Sequence, residues 1–331
     1  MSSRKLELSV NAQVWPLDKP FRIARGTRTQ AHVILVTVSD RQHTGRAEAV
    51  PSRRFGETVE SAIAQLKQIS SKGAGDFDRD QIQKLLPAGA ARNALDCALW
   101  DLEAKVSGER AWKLANIQIV DAIETSFTIS LDTPDKMAAA AKANTGYPLL
   151  KLKLGGDFLD LPRVESVRKE APAARLLVDA NESWSPSHYR SIASALRGLS
   201  VELIEQPFPA QADDVLETLD HPIPVCADES CHTTADLPRL VNRYELINIK
   251  LDKTGGLTEA LRLTESARES GFKILIGCMV CTSLGIAPAR LLASAADYAD
   301  LDGPLLLARD RHHGLAYQAG KVGLPSRELW G

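Results

Sequence analysis

The chain has 331 residues, about twice the usual domain size, so a large domain and a smaller one, each with its own core, are expected. Hydrophobic residues make up 44% and charged residues 25%, proportions that exclude disorder, collagen-like repeats and coiled-coil arrays. Forty Lys and Arg against 42 Asp and Glu leave a net charge of −2, so no global field draws in a polyanion and nucleic acid is not an expected partner. No apolar run approaches the roughly 18–20 residues of a membrane span. The N-terminus, Met-Ser-Ser-Arg-Lys-Leu-Glu, carries charge where a signal peptide needs an apolar stretch, so a cytoplasmic protein without membrane partners is expected.

Residues 1–122 read as an α+β domain, with β-rich stretches near 5–15, 31–39 and 45–49 and helical stretches near 57–71, 78–85 and 90–107. Residues 123–310 then alternate short β-rich runs with helical segments. The eight runs fall near 124–130, 149–153, 175–179, 201–205, 223–228, 246–250, 273–277 and 298–302. Helix starts are marked by Thr133 before Pro134 and Ser185 before Pro186, an N-cap residue followed by proline at the first helical position. Eight βα units in about 180 residues, with no GxGxxG after any strand, predict an α/β fold built on a (β/α)8-type, modified TIM barrel. The tail, 311–331, contains no βα unit and is expected to pack back on the N-terminal domain. Five cysteines, Cys97, Cys226, Cys231, Cys278 and Cys281, are an odd number whose spacing fits no common zinc module, so buried reduced thiols are expected.

Parallel barrel strands are buried on both faces and should be apolar throughout, yet here they end in charge. Strand 2 closes with Lys151 and Lys153, strand 3 with Asp179, strand 4 with Glu205, strand 5 with Asp228, strand 6 with Lys250, and strand 8 with Asp300 and Asp302. Any one of these could cap a helix or reach to solvent. Six strands ending this way mark the C-terminal face, where such barrels place their active sites. Asp179, Glu205 and Asp228 come from adjacent strands and would repel one another without a cation. Three hard oxygen donors with room for water and substrate suit magnesium better than zinc.

Strands 2 and 6 lie opposite each other in a ring of eight, so Lys153 and Lys250 face each other across the pocket mouth. Two bases on opposite sides of a metal-bound substrate suit racemisation or epimerisation, with the metal stabilising the charge of an enediolate. A lysine base must be neutral. Lys151 shares the parity of Lys153 and is expected, together with the metal, to depress its pKa.

These motifs resemble the enolase superfamily and, within it, the muconate-lactonizing subgroup. The resemblance rests on Ala-Arg-Asn-Ala-Leu-Asp-Cys-Ala-Leu-Trp-Asp-Leu at 91–102, Lys-Leu-Lys at 151–153, Asp-Ala-Asn at 179–181, Glu-Gln-Pro at 205–207, Asp-Glu-Ser at 228–230 and Asn-Ile-Lys-Leu-Asp-Lys-Thr-Gly-Gly at 248–256. It implies that residues 1–122 form an α+β capping domain over the barrel, one Mg2+ per subunit, lysine bases, which are a known feature of that superfamily, and a surface position for Lys253. Asp-Leu-Asp-Gly-Pro at 300–304 resembles the motif with which dipeptide epimerases hold the substrate's α-ammonium. Gly277–Ser283 and Ile23–Thr27 resemble those dipeptide epimerases that act on L-Ala-D/L-Glu, from murein peptide breakdown. That likeness implies a small dipeptide substrate held by Arg25, Asp300, Asp302, Cys278 and Met279, with Arg22 and Arg28 near enough to replace Arg25. A cycloisomerase or an o-succinylbenzoate synthase would use the same lysines and metal. Its substrate, however, carries no ammonium for Asp300 and Asp302. A non-catalytic barrel that binds an acidic ligand would leave the opposed lysines unexplained. A homo-oligomer is compatible with the sequence.

Overall fold

The computed structural model describes residues 6–71 and 77–331. An antiparallel sheet opens the chain: β1 (Glu7–Ile23), β2 (Gly26–Ser39) and β3 (Thr44–Ala49), in the order β1-β2-β3. The first hairpin is longer than its sequence pattern predicts. Pro16 and Pro20 interrupt the alternation, and a register shift between Pro16 and Phe21 carries the pairing past them to a tip at Ala24 and Arg25. Three helices follow, α1 (Val59–Ser71), α2 (Arg79–Leu85) and α3 (Ala90–Ser107). The third is buried along most of its length because it lies between the N-terminal sheet and the barrel.

β4 (Ala122–Glu124) precedes the barrel strands β5 (Phe127–Ile129), β6 (Leu149–Lys153), β7 (Arg175–Asp179), β8 (Val201–Glu205), β9 (Val225–Ala227), β10 (Leu246–Ile249), β11 (Lys273–Gly277) and β12 (Tyr298–Asp300). These eight are parallel neighbours in chain order. The first and last meet where the Ser126 amide donates to the Ala299 carbonyl at 2.9 Å. The expected strand 124–130 is divided: its leading part is β4, which pairs with β14 (Lys321–Gly323), itself paired with β13 (Tyr317–Gln318). At the chain end, the Trp330 indole donates to the Cys97 carbonyl, and the Gly331 amide to Asp101 Oδ1.

Side-chain parity sorts each barrel strand into two environments. Leu150, Leu152, Leu176, Val178, Ile204, Val225, Ile247, Ile249, Ile274 and Ile276 face outward and join the main core. Leu149, Leu177, Leu203, Cys226, Leu246 and Leu275 form a separate inward cluster. Two or four residues further along the same inward rows stand Lys151, Lys153, Asp179, Glu205, Asp228 and Lys250. The barrel interior is therefore apolar at its base and charged at its C-terminal mouth.

Candidate active site

Lys151 and Lys153, both buried, project from β6 into the mouth. Lys153 Nζ meets Asp179 Oδ2 at 2.5 Å. Lys151 Nζ lies 2.7 Å from Glu205 Oε2, 2.7 Å from Asp300 Oδ2 and 3.3 Å from Asp179 Oδ2. Because one ammonium reaches both, Asp300 sits close to the expected metal-binding carboxylates. Asn248, the polar residue on the inward row of β10, donates to Glu205 Oε1 at 2.9 Å. Its position in the apolar run Leu-Ile-Asn-Ile was a readable signal.

Across the barrel, Lys250 Nζ reaches Asp228 Oδ2 at 2.6 Å. The other oxygen, Oδ1, is 2.7 Å from Lys253 Nζ, which also donates to the Asp228 and Asn248 carbonyls. Lys253 is thus not a surface residue; its side chain is 0% exposed. The one-turn helix Leu251–Thr254 starts right after β10 and turns this side chain back beneath Asp228. All three ammonium hydrogens are used there, so Lys253 serves as a fixed counter-charge.

At the rim, Asp300 accepts from Ser126 Oγ at 2.5 Å, and Asp302 Oδ2 accepts from the Thr128 amide at 2.6 Å. The pocket between these groups is lined by Lys151, Lys153, Lys250, Asp300, Asp302, Cys278 and Met279, and by Phe21, Arg25, Arg28, Arg54 and Phe55 from the N-terminal domain. Cys278 is the partly exposed thiol; the other four cysteines are buried and all five are free. Arg25 reaches the pocket, but its guanidinium is engaged by Glu229 Oε1 at 2.7 Å, Glu182 Oε2 at 3.2 Å and the Asn181 carbonyl at 2.8 Å. Arg22 does not line the pocket. Arg28 does, and its guanidinium has no hydrogen bond or ion pair among the described residues. Glu182 and Glu229 carry no sequence signal for this role, since their partners lie more than 120 residues away.

Burial would raise the Asp179 and Asp228 carboxyls, but the facing lysines outweigh it and hold both low. Glu205 goes the other way, up to about 7, through burial and the neighbouring Asp179 charge. Asp302 is likewise pushed up to about 7 by burial and by Asp300. Burial opposes charge on Lys151 and Lys250, yet the surrounding carboxylates prevail and raise both. The nearby Lys153 therefore does not lower the Lys151 ammonium against these carboxylates.

Among the described residues, no three His, Cys, Asp or Glu side chains converge on a single point, because ammonium groups stand among the carboxylates. The donor set nevertheless fits a hard divalent cation: three buried carboxylates on neighbouring strand ends, all oxygen. Two pocket-lining residues, Asn181 and Glu229, also have a buried acceptor oxygen without a hydrogen-bond partner.

The mandelate racemase/muconate lactonizing enzyme N-terminal domain model matches residues 5–115, and the enolase C-terminal domain-like model matches residues 136–327. The chain belongs to this family. It is 44% identical to L-Ala-D/L-Glu epimerase of Escherichia coli (strain K12) over 319 residues, covering 96% of this chain and 99% of the relative. It is also 44% identical over 301 residues to N-acetyl-D-glutamate racemase of a Pseudoalteromonas species, covering 90% and 95%. A crystal structure of an enolase family member from Agrobacterium tumefaciens, with sodium and L-Ala-L-Glu bound, superposes with a TM-score of 0.94 at 46% identity, covering 98% of this chain and 100% of that one. Other solved dipeptide epimerases of the family hold Mg and a dipeptide. The eight-stranded barrel with its N-terminal antiparallel sheet is the family's architecture.

Proposed function

We propose that this family member is a magnesium-dependent dipeptide epimerase that inverts the α-carbon of the C-terminal residue of L-Ala-D/L-Glu. The observation that carries the reading is the pair of buried lysines, Lys153 and Lys250, that line one pocket from strands four apart, each on a different carboxylate. One lysine removes the α-proton from one face, and the other delivers a proton to the opposite face. Asp179, Glu205 and Asp228 would hold the ion, which when bound supplies Lewis-acid stabilisation of negative charge on the substrate carboxylate.

Asp300 and Asp302 suit the substrate's ammonium. Asp302 is held near neutrality by burial and Asp300, and an arriving cation would favour its ionised form. For the glutamate side chain, Arg28 is better placed than Arg25. Burial and the nearby Arg25 and Arg53 disfavour its charge, so an incoming carboxylate relieves an existing repulsion. N-acetylglutamate would offer a second carboxylate but no ammonium, leaving Asp300 and Asp302 unused.

The test is incubation of L-Ala-L-Glu, and separately N-acetyl-L-glutamate, with Mg2+ in heavy water, read by chiral chromatography and mass spectrometry. The dipeptide should epimerise faster. Lys153→Ala and Lys250→Ala should each stop epimerisation while still exchanging the α-proton of one epimer, with opposite preferences. Exchange of both epimers by Lys250→Ala would sink the two-base assignment.

A further inference from the structure

Two segments of the N-terminal domain reach over the barrel mouth: the β1–β2 hairpin tip with Arg25, and the stretch before α1 that carries Arg54 and Phe55. Both end on one barrel residue, Glu182. Its Oε2 lies 2.5 Å from Arg54 Nε and 3.2 Å from Arg25 Nη1, and its Oε1 accepts from Arg54 Nη2 at 2.5 Å and from the Ala210 amide at 2.9 Å. Glu182 sits in the loop after β7 with a φ of 68°, a conformation uncommon for a residue with a side chain. Its carboxylate is 8% exposed, while the arginines it binds are about a third exposed. A buried carboxylate on the barrel thus gathers two cations from the N-terminal domain, whose hairpin is also tied to the barrel by the Arg22 backbone at Ser130 and Leu131, and Arg25 continues to a second buried carboxylate, Glu229.

From this geometry we infer that Glu182 is a positioning residue, the anchor of a latch that keeps both segments closed over the pocket, and that Arg25 and Arg54 belong to the latch and not to substrate recognition. Each arginine bond is charge-assisted and bridges two domains. The bidentate Arg54 pair fixes direction as well as distance. Removing the anchor loosens both segments together, although Arg25 and Arg54 are 29 positions apart in sequence and Arg25 keeps its bonds to Glu229 and the Asn181 carbonyl. Since closure completes the pocket wall, a loosened latch lowers the closed fraction before substrate arrives. It leaves the lysines and the metal-binding carboxylates in place.

The inference rests on the proposed reaction only for its kinetic readout; the structural readout needs no substrate. Hydrogen exchange of the full-length protein, followed by mass spectrometry, should show Glu182→Gln raising exchange about tenfold in peptides covering 20–30 and 50–57. Peptides from β6, β8 and β10 should be unchanged. Arg54→Gln, at a partly exposed side chain, should raise exchange in the same two peptides, and the double variant should add little to either single one. With L-Ala-L-Glu, Glu182→Gln should raise KM about tenfold and change kcat less than about threefold. Unchanged exchange in the two peptides, a rise spread through the barrel, or multiplying effects in the double variant would overturn the latch. Altered exchange without any activity toward the dipeptide would uphold the latch and overturn the proposed reaction instead.

Discussion

Lys253 offers a sharp test of the electrostatics, because its sequence context implies a surface residue and the structure buries it. Lys253→Met keeps the length of the side chain and removes the charge. The substitution leaves Asp228 Oδ1 and two backbone carbonyls without their donor in a region closed to water. Breaking a buried pair by removing one partner costs about 3–5 kcal/mol, a factor of roughly 10² to 10⁴ in the folding equilibrium. The matched control is Lys113→Met. Lys113 and Glu109 pair at 3.0 Å on the surface with side chains 65% and 51% exposed, so its loss should cost less than about 0.5 kcal/mol. Urea and thermal unfolding at pH 7 separate the two, with a fall in Tm of at least about 5 °C for Lys253→Met and almost none for Lys113→Met. Equal, small effects would refute the reading of Lys253 as a buried counter-charge.

Other consequences of the site can be measured directly. Asp179→Asn or Glu205→Gln should abolish turnover with the circular dichroism spectrum intact, since losing a carboxylate relieves repulsion while removing a cation ligand; full activity of either after chelation would refute the metal assignment. Arg28→Met should raise KM for L-Ala-L-Glu at least about tenfold and leave a neutral dipeptide almost unaffected, whereas Arg25→Met, which breaks the latch, should weaken both substrates alike. Asp252 is buried between the domains, accepts from the Val50 amide and Asn93, and is pushed up to about 7, chiefly by burial. The folded state therefore holds a proton that the unfolded chain releases near pH 4, so this group's contribution to stability falls as pH rises from about 4 to 7, by at most roughly 4 kcal/mol. Asp252→Asn should accordingly gain stability over the parent between pH 5 and pH 8 in urea titrations, and parallel profiles would refute the assignment.

Barrel architecture, the charged C-terminal mouth and the members of its charged cluster are all readable from the order of residues along the chain. Strand periodicity is local: alternate residues share a face, so Leu149, Lys151 and Lys153 had to share an environment, as did Leu203 and Glu205. A charge at the end of a buried strand needs no tertiary information to be conspicuous. Asn248 was legible for the same reason. Tertiary structure decided the partners. Lys253 is buried only because a one-turn helix folds it under Asp228, and Arg25 faces Glu182 and Glu229 only because a hairpin extended beyond two prolines reaches across the barrel. Ion pairing also decided the direction of the pKa shifts, since Lys151 is surrounded by Glu205, Asp300 and Asp179 and not governed by the lysine two residues away. Coulombic energies depend on separations of a few ångströms between residues more than a hundred positions apart, and these distances exist only once the loops have converged.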